Sequence, residues 1–91
     1  MDEYCLINDF AKKIGQHQNT VDGWFKQLEE RRIHYVNRAN GKKVYNSLDL
    51  QIGLYIRDKR EKKWALDPIF SELPEHFELR PFPPDNTATS G

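Results

Sequence analysis

Cysteine is almost missing from this chain of 91 residues, and the lone Cys5 excludes both an internal disulfide and a zinc cluster built on thiolates. A reducing, cytoplasmic setting is the simplest expectation. No apolar run approaches the roughly 18 residues of a membrane-spanning helix, so a soluble protein without a membrane partner is expected. Asp2 and Glu3 stand where a secretory leader would carry positive charge, and no such leader is expected. Net charge is missing too, with 14 basic residues against 14 acidic ones. Histidine is sparse: His17, His34 and His76 fall on a turn, a strand start and the carboxy-terminal segment, with no Cys or Glu-x-x-His spacing beside them. A glycine loop for phosphates and a Gly-x-Ser-x-Gly elbow are also lacking. The chain is therefore not expected to be an enzyme, and no metal, cofactor or small-molecule effector is expected.

The zero net charge conceals segregation. Residues 1–64 hold 13 Lys and Arg against 9 Asp and Glu, whereas residues 65–91 hold 1 against 5. A basic excess confined to one part of a chain is a modest footprint for phosphate binding.

That basic part carries the clearest pattern. Ile7, Phe10, Ala11 and Ile14 recur at helical spacing, Gly15-Gln16-His17 interrupts, and Val21, Trp24, Phe25 and Leu28 repeat the spacing. Two short amphipathic helices around a glycine turn form a helix-turn-helix, with Gly15 supplying the left-handed end of the first helix. Asn8 or Asp9 is expected to start that helix. The second is expected to begin between His17 and Asn19, with Asn19 and Asp22 as a capping box, and to run to about Arg31. Tyr4 to Ile7 would be a strand or an extended cap on the core.

After Ile33 the period changes from helical to alternating. His34 to Asn37 and Lys43 to Tyr45 flank Arg38-Ala39-Asn40-Gly41-Lys42, and Asn-Gly is a strong hairpin signal. A hairpin with a basic tip directly after a helix-turn-helix is the arrangement of a winged helix. Asn46 and Asp49 then cap a third helix whose buried side would draw on Leu50, Ile52, Leu54, Tyr55 and Ile56, and which ends in the basic run Arg57 to Lys63. A short fourth helix is expected over Trp64 to Leu73, with Pro68 in its first turn and Pro74 ending it.

Four of the five prolines stand at or after Pro74. Residues 1–73 thus read as one domain and residues 74–91 as an extended tail. Phe77 to Phe82 could pack on the domain, Asp85 to Gly91 would be disordered, and Thr87 to Gly91 could equally be vector-derived or a truncation point. The fold class expected is mainly α with a small β-hairpin, a winged helix-turn-helix of about four helices.

The span from Tyr4 to Leu73 resembles the DNA-binding domain of the MerR superfamily. The resemblance rests on Tyr4-x-Leu6-Ile7-x-x-Phe10-Ala11, the Gly15 turn, Thr20-Val21-x-x-Trp24, Val44-Tyr45, Asp49-Leu50 with Leu54-x-Ile56, and Ala65-Leu66-Asp67-Pro68-Ile69. Gln16, His17 and Asp22-Gly23 depart from the family pattern. The resemblance implies a second helix that enters the major groove and a wing that holds the flanking backbone. Short or divergent members, including chromosome-anchoring and plasmid-partition proteins of Gram-positive bacteria, are the more similar kind, since nothing here matches the long dimerisation helix and effector domain of the sensor type. Double-stranded DNA is the expected partner, a homodimer the expected form, and the nucleoid the expected place. The rival expectation is an excisionase-like or adaptor protein that uses the same architecture to bind proteins.

Side chains that pair with base edges would carry sequence reading. Gln and Asn can pair bidentately with adenine and His can donate to guanine, so His17, Gln18 and Asn19 are the base-edge candidates. Lys12, Lys13, Thr20, Lys26, Arg38, Lys42 and Lys43 are the phosphate or wing candidates.

Overall fold

The computed structural model describes residues 3–83. It runs α1 (Ile7–Ile14), α2 (Gln18–Glu30), β1 (Arg38–Ala39), β2 (Lys42–Lys43), α3 (Ser47–Glu61) and α4 (Leu66–His76). The chain is mainly helical with one antiparallel two-stranded hairpin, the element order of a small winged helix-like fold.

The core is built where the helical spacing places it. Phe10, Ile14, Val21, Phe25 and Leu28 of the first two helices are fully buried with Ile52 and Ile56 of α3 and Ile69 and Leu73 of α4. Aromatic rings lock the centre: Tyr45 stacks on Phe10 at 4.2 Å, and Phe25 meets both edge-on. Gly53 marks the close crossing of α1 and α3. A Cβ there would stand 2.3 Å from Ile14 Cδ1, so this glycine, between the buried Ile52 and Ile56, sets how closely the helices approach, while Leu50, Leu54 and Tyr55 are partly buried against the core.

Several boundaries differ from expectation. α1 starts one residue before Asn8, with Leu6 in the extended N-cap position and no side-chain cap. The lead-in makes a single antiparallel bridge, in which Cys5 and Tyr45 exchange two backbone hydrogen bonds of 2.9 Å. The hairpin is tighter than its flanking residues suggest. Arg38 faces Lys43 and Ala39 faces Lys42, and only Asn40-Gly41 turn, both with positive φ (54° and 78°) as a two-residue primed turn demands. Pro74 does not end α4. Its ring costs one backbone donor in the last turn, while the Phe77 N–H still bonds the Leu73 carbonyl, so the helix continues to His76.

Beyond that helix residues 77–83 are extended, and Phe77, Leu79 and Phe82 pack on the domain as the sequence allowed. What the sequence did not indicate is that Arg80 pins this strap to the core. The Arg80 N–H donates to His34 Nδ1 (2.9 Å), its carbonyl accepts from the Tyr35 N–H (3.1 Å), and its guanidinium bonds the Tyr35 carbonyl, Asn46 Oδ1 and both oxygens of Asp49. Phe82 packs edge-on against Tyr35 and lies under the Arg32 guanidinium. Asp49 is the hub. It closes the expected capping box with Asn46 at the head of α3, and it accepts from His34 Nε2 at 2.7 Å with both side chains fully buried. Since Nδ1 already accepts from Arg80, His34 is held as the Nε2–H tautomer. Burial pushes the Asp49 carboxyl up, but the donors from His34, Asn46 and Arg80 outweigh it and hold the group below the ordinary carboxylate range. The expected disorder of Asp85 to Gly91 and the origin of Thr87 to Gly91 concern residues outside those described.

Candidate nucleic-acid interface

The turn between α1 and α2 sets how the leading end of α2 is presented. Gly15 takes φ 84° and its N–H returns to the Ala11 carbonyl, which closes α1 in the left-handed conformation that glycine tolerates. From the other side Arg57 of α3 donates to the Ile14 carbonyl at 2.9 Å, so the turn is tied to the third helix as well.

His17, and not Asn19, caps α2. Its Nδ1 accepts from the Asn19 N–H at 3.1 Å, and the expected Asn19–Asp22 box does not form because Asn19 already lies inside the first turn. Capping by His17 sets the roles of both residues. His17 retains only Nε2 for an outside partner, and the Asn19 amide is released from capping. Gln18, Asn19 and Thr20 are all exposed, while Val21, Trp24 and Phe25 directly after them are buried.

The hairpin is drawn against α2 by carboxylates of that helix. Glu29 takes both guanidinium nitrogens of Arg38, accepts the Val36 N–H at 3.0 Å, and so fixes the foot of the wing. Arg38 also donates to the Val36 carbonyl and lies 5.4 Å over the Tyr35 ring. Burial raises the Glu29 carboxyl, and the Arg38 and Val36 donors more than reverse this, holding it below its ordinary range. At the other end Lys43 Nζ meets Asp22 Oδ1 at 3.3 Å. Arg38 is therefore a positioning residue of the hairpin although its surface is exposed, and of the two lysines of β2 Lys42 is the exposed one.

Between the lead-in, α2 and the wing lies an open cleft of about 480 Å³, walled by Leu6, Ile7 and Tyr45 and rimmed by Asn8, Gln18, Asp22, Lys42 and Lys43. It brings one base-edge candidate together with two wing candidates. Thr20 lies in a separate, smaller cleft of about 260 Å³ with Gln16, Trp24, Arg57, Arg60 and Glu61. Lys13 lines a third recess beside Cys5 and Asn46, whereas Lys12 and Lys26 are exposed and line none of the three. Sequence reasoning missed Asn8 at the rim and Glu29 as the wing's anchor. Glu29 lies nine positions from Arg38 across an irregular segment, a separation at which no local periodicity reports a pair.

In the His34–Asp49–Arg80 cluster an acid, a base and a cation converge, but the side chains of both His34 and Asp49 have no exposed surface, so the cluster serves the fold. Among the described residues no group of three His, Cys, Asp or Glu could hold a metal ion, and no helix is long and apolar enough to cross a membrane. No family model, curated protein or solved structure matches this chain.

Proposed function

We propose that this chain binds double-stranded DNA sequence-specifically, as a MerR-like transcriptional regulator or as a DNA-segregation protein of the partition or anchoring kind. The observation that carries the reading is the exposed leading turn of α2, with Gln18, Asn19 and Thr20 at the surface beside a hairpin whose tip bears Lys42. Thirteen residues make a rod of roughly 20 Å, and an α-helix fits the roughly 12 Å width of a major groove. With the first turn of α2 against the base edges, the positive end of its dipole faces the duplex, and the wing lies over the sugar-phosphate backbone.

In this reading Gln18 and Asn19 read adenine edges, His17 Nε2 donates to an acceptor, and Thr20, Lys42, Lys12, Lys13 and Lys26 meet phosphates. Two copies on a two-fold site are part of the same proposal, and a mobility shift on a palindrome should then give two bands. The test is a mobility shift on random and selected duplexes at low and moderate salt. Lys42→Ala should weaken binding to all sequences and shallow the salt slope by about one, whereas Gln18→Ala should relax preference at one base position. Identical behaviour of the two variants would refute the groove assignment.

A protein-binding role has one observation in its favour. Tyr4 and Leu6, the large apolar side chains exposed among the described residues, stand on the lead-in, and Leu6 walls the cleft. Failure to bind any duplex at about 50 mM salt, where even non-specific phosphate contacts hold, would favour that role.

A further inference from the structure

We propose that Asp22 is an internal stand-in for a backbone phosphate: its carboxylate holds Lys43 in the unbound protein and yields it to the nucleic acid on binding. The inference rests on the duplex-binding reading above and names the control built into that surface. Asp22 stands one helical turn after Gln18, so the two side chains share a face of α2 and line the same cleft as Lys42 and Lys43. A sugar-phosphate chain that follows the wing while a base edge reaches Gln18 must pass this carboxylate.

The two ion pairs that tie wing to helix are unequal. Arg38 is held by both oxygens of Glu29, which also carries the Val36 N–H, and the Glu29 side chain is only 16% exposed. Lys43 has a single 3.3 Å contact to an Asp22 side chain that is 44% exposed. A half-exposed single-point pair of this kind is weak and screened by salt, so a phosphate can exchange for it. The bidentate pair keeps the wing in place meanwhile. The exchange has a cost in affinity, because Asp22 is left facing a like charge across the cleft. It also has a signature in salt dependence: the released carboxylate takes up a cation as the duplex gives one up, which shallows the slope.

The test compares the full chain with Asp22→Asn, Lys43→Ala and the double variant, on one random 20-base-pair duplex between 50 and 300 mM NaCl. Asp22→Asn should bind about three- to tenfold more tightly at the lowest salt and steepen the slope by up to about one unit. Adding Lys43→Ala to Asp22→Asn should remove both gains. Thermal melts of the free proteins should change little, as expected for a half-exposed pair. Unchanged or weaker binding by Asp22→Asn, with wild-type binding intact, overturns the stand-in role and leaves the duplex-binding reading untouched. A wild-type chain that binds no duplex overturns both.

Discussion

Asp49→Asn tests the polar hub on which the fold depends. The Asp49 carboxylate accepts from His34 Nε2–H, the Asn46 N–H, and both terminal nitrogens of Arg80. An asparagine has the same shape but turns one acceptor into a donor, so whichever way its amide lies, it opposes at least one N–H with an N–H. The change also leaves the Arg80 guanidinium, which is only 15% exposed, without its countercharge. Removing one partner of a buried pair costs about 3–5 kcal/mol, and the damaged capping box falls within that figure. A domain of this size has only about 5–15 kcal/mol in total and loses about 4–8 °C of Tm per kcal/mol, so the melt should fall by roughly 12–40 °C. Urea unfolding followed by the fluorescence of Trp24 and Trp64 would measure it. Arg80→Ala supplies the second arm: costly in the wild type, it should cost little more once Asp49→Asn is in place, a coupling of about 0.5–3 kcal/mol. A loss below about 1 kcal/mol for Asp49→Asn, or strict additivity with Arg80→Ala, would show that the strap and hub are not coupled as the hydrogen bonds imply.

Three further outcomes follow from the packing. Tyr45 is fully buried and its hydroxyl has no partner among the described residues, a desolvation that pushes the phenol above its ordinary range; Tyr45→Phe should therefore stabilise the fold by about 1 kcal/mol in urea titration, and a destabilised variant would reveal a hidden partner. Gly53→Ala should lower stability by about 1–3 kcal/mol despite the better helix former, because its Cβ meets Ile14 Cδ1; adding Ile14→Val, which deletes that atom, should recover part of the loss, and a double variant worse than the sum of the singles would contradict the contact. Asp49 and Glu29 both have carboxyls held below their ordinary range, so the unfolded chain binds more protons than the folded one in acid. Their stabilisation is fully present above about pH 5 and is lost as the pH falls through about 4 and below, which a pH series of thermal melts would register as a falling Tm; Asp49→Asn should flatten that fall.

What was legible in the sequence, and what was not, divides along the distance over which the causes act. Gly15, Asn40-Gly41 and the Asn46–Asp49 box were readable because each answers a demand made within four residues: a left-handed backbone, a primed turn, an orphaned helix N–H. The buried stripe of α2 was readable for the same reason, its period being a property of the helix itself. The cap of α2 shows where local rules tie. His17 and Asn19 both satisfy them, and the position of Gly15 decides, because it fixes where the chain re-enters a helix.

Arg80 illustrates the other extreme. Its partners lie 31 to 46 positions upstream, and four prolines around an acidic stretch imitate a solvated tail. Nothing in the neighbourhood of Arg80 signals that the one basic residue of that stretch is wanted by a buried carboxylate. The same blindness affected the reading of charge. The basic excess of residues 1–64 suggested a phosphate footprint, yet Arg38 and Lys43 face carboxylates of α2, Arg57 holds the Ile14 carbonyl, and Arg31 pairs with Asp67 at 2.6 Å. Part of that excess is thus internal mortar between elements, and counting charges overstates what reaches a ligand. Lys42, Lys12, Lys13 and Lys26 remain exposed, and the duplex reading stands on them together with the amides of the α2 leading turn. A salt slope therefore weighs these cations together: a value near four phosphate contacts would match Lys12, Lys13, Lys26 and Lys42 alone, and a larger value would require Lys43 to leave Asp22 or the exposed Lys62 and Lys63 beyond α3 to join them.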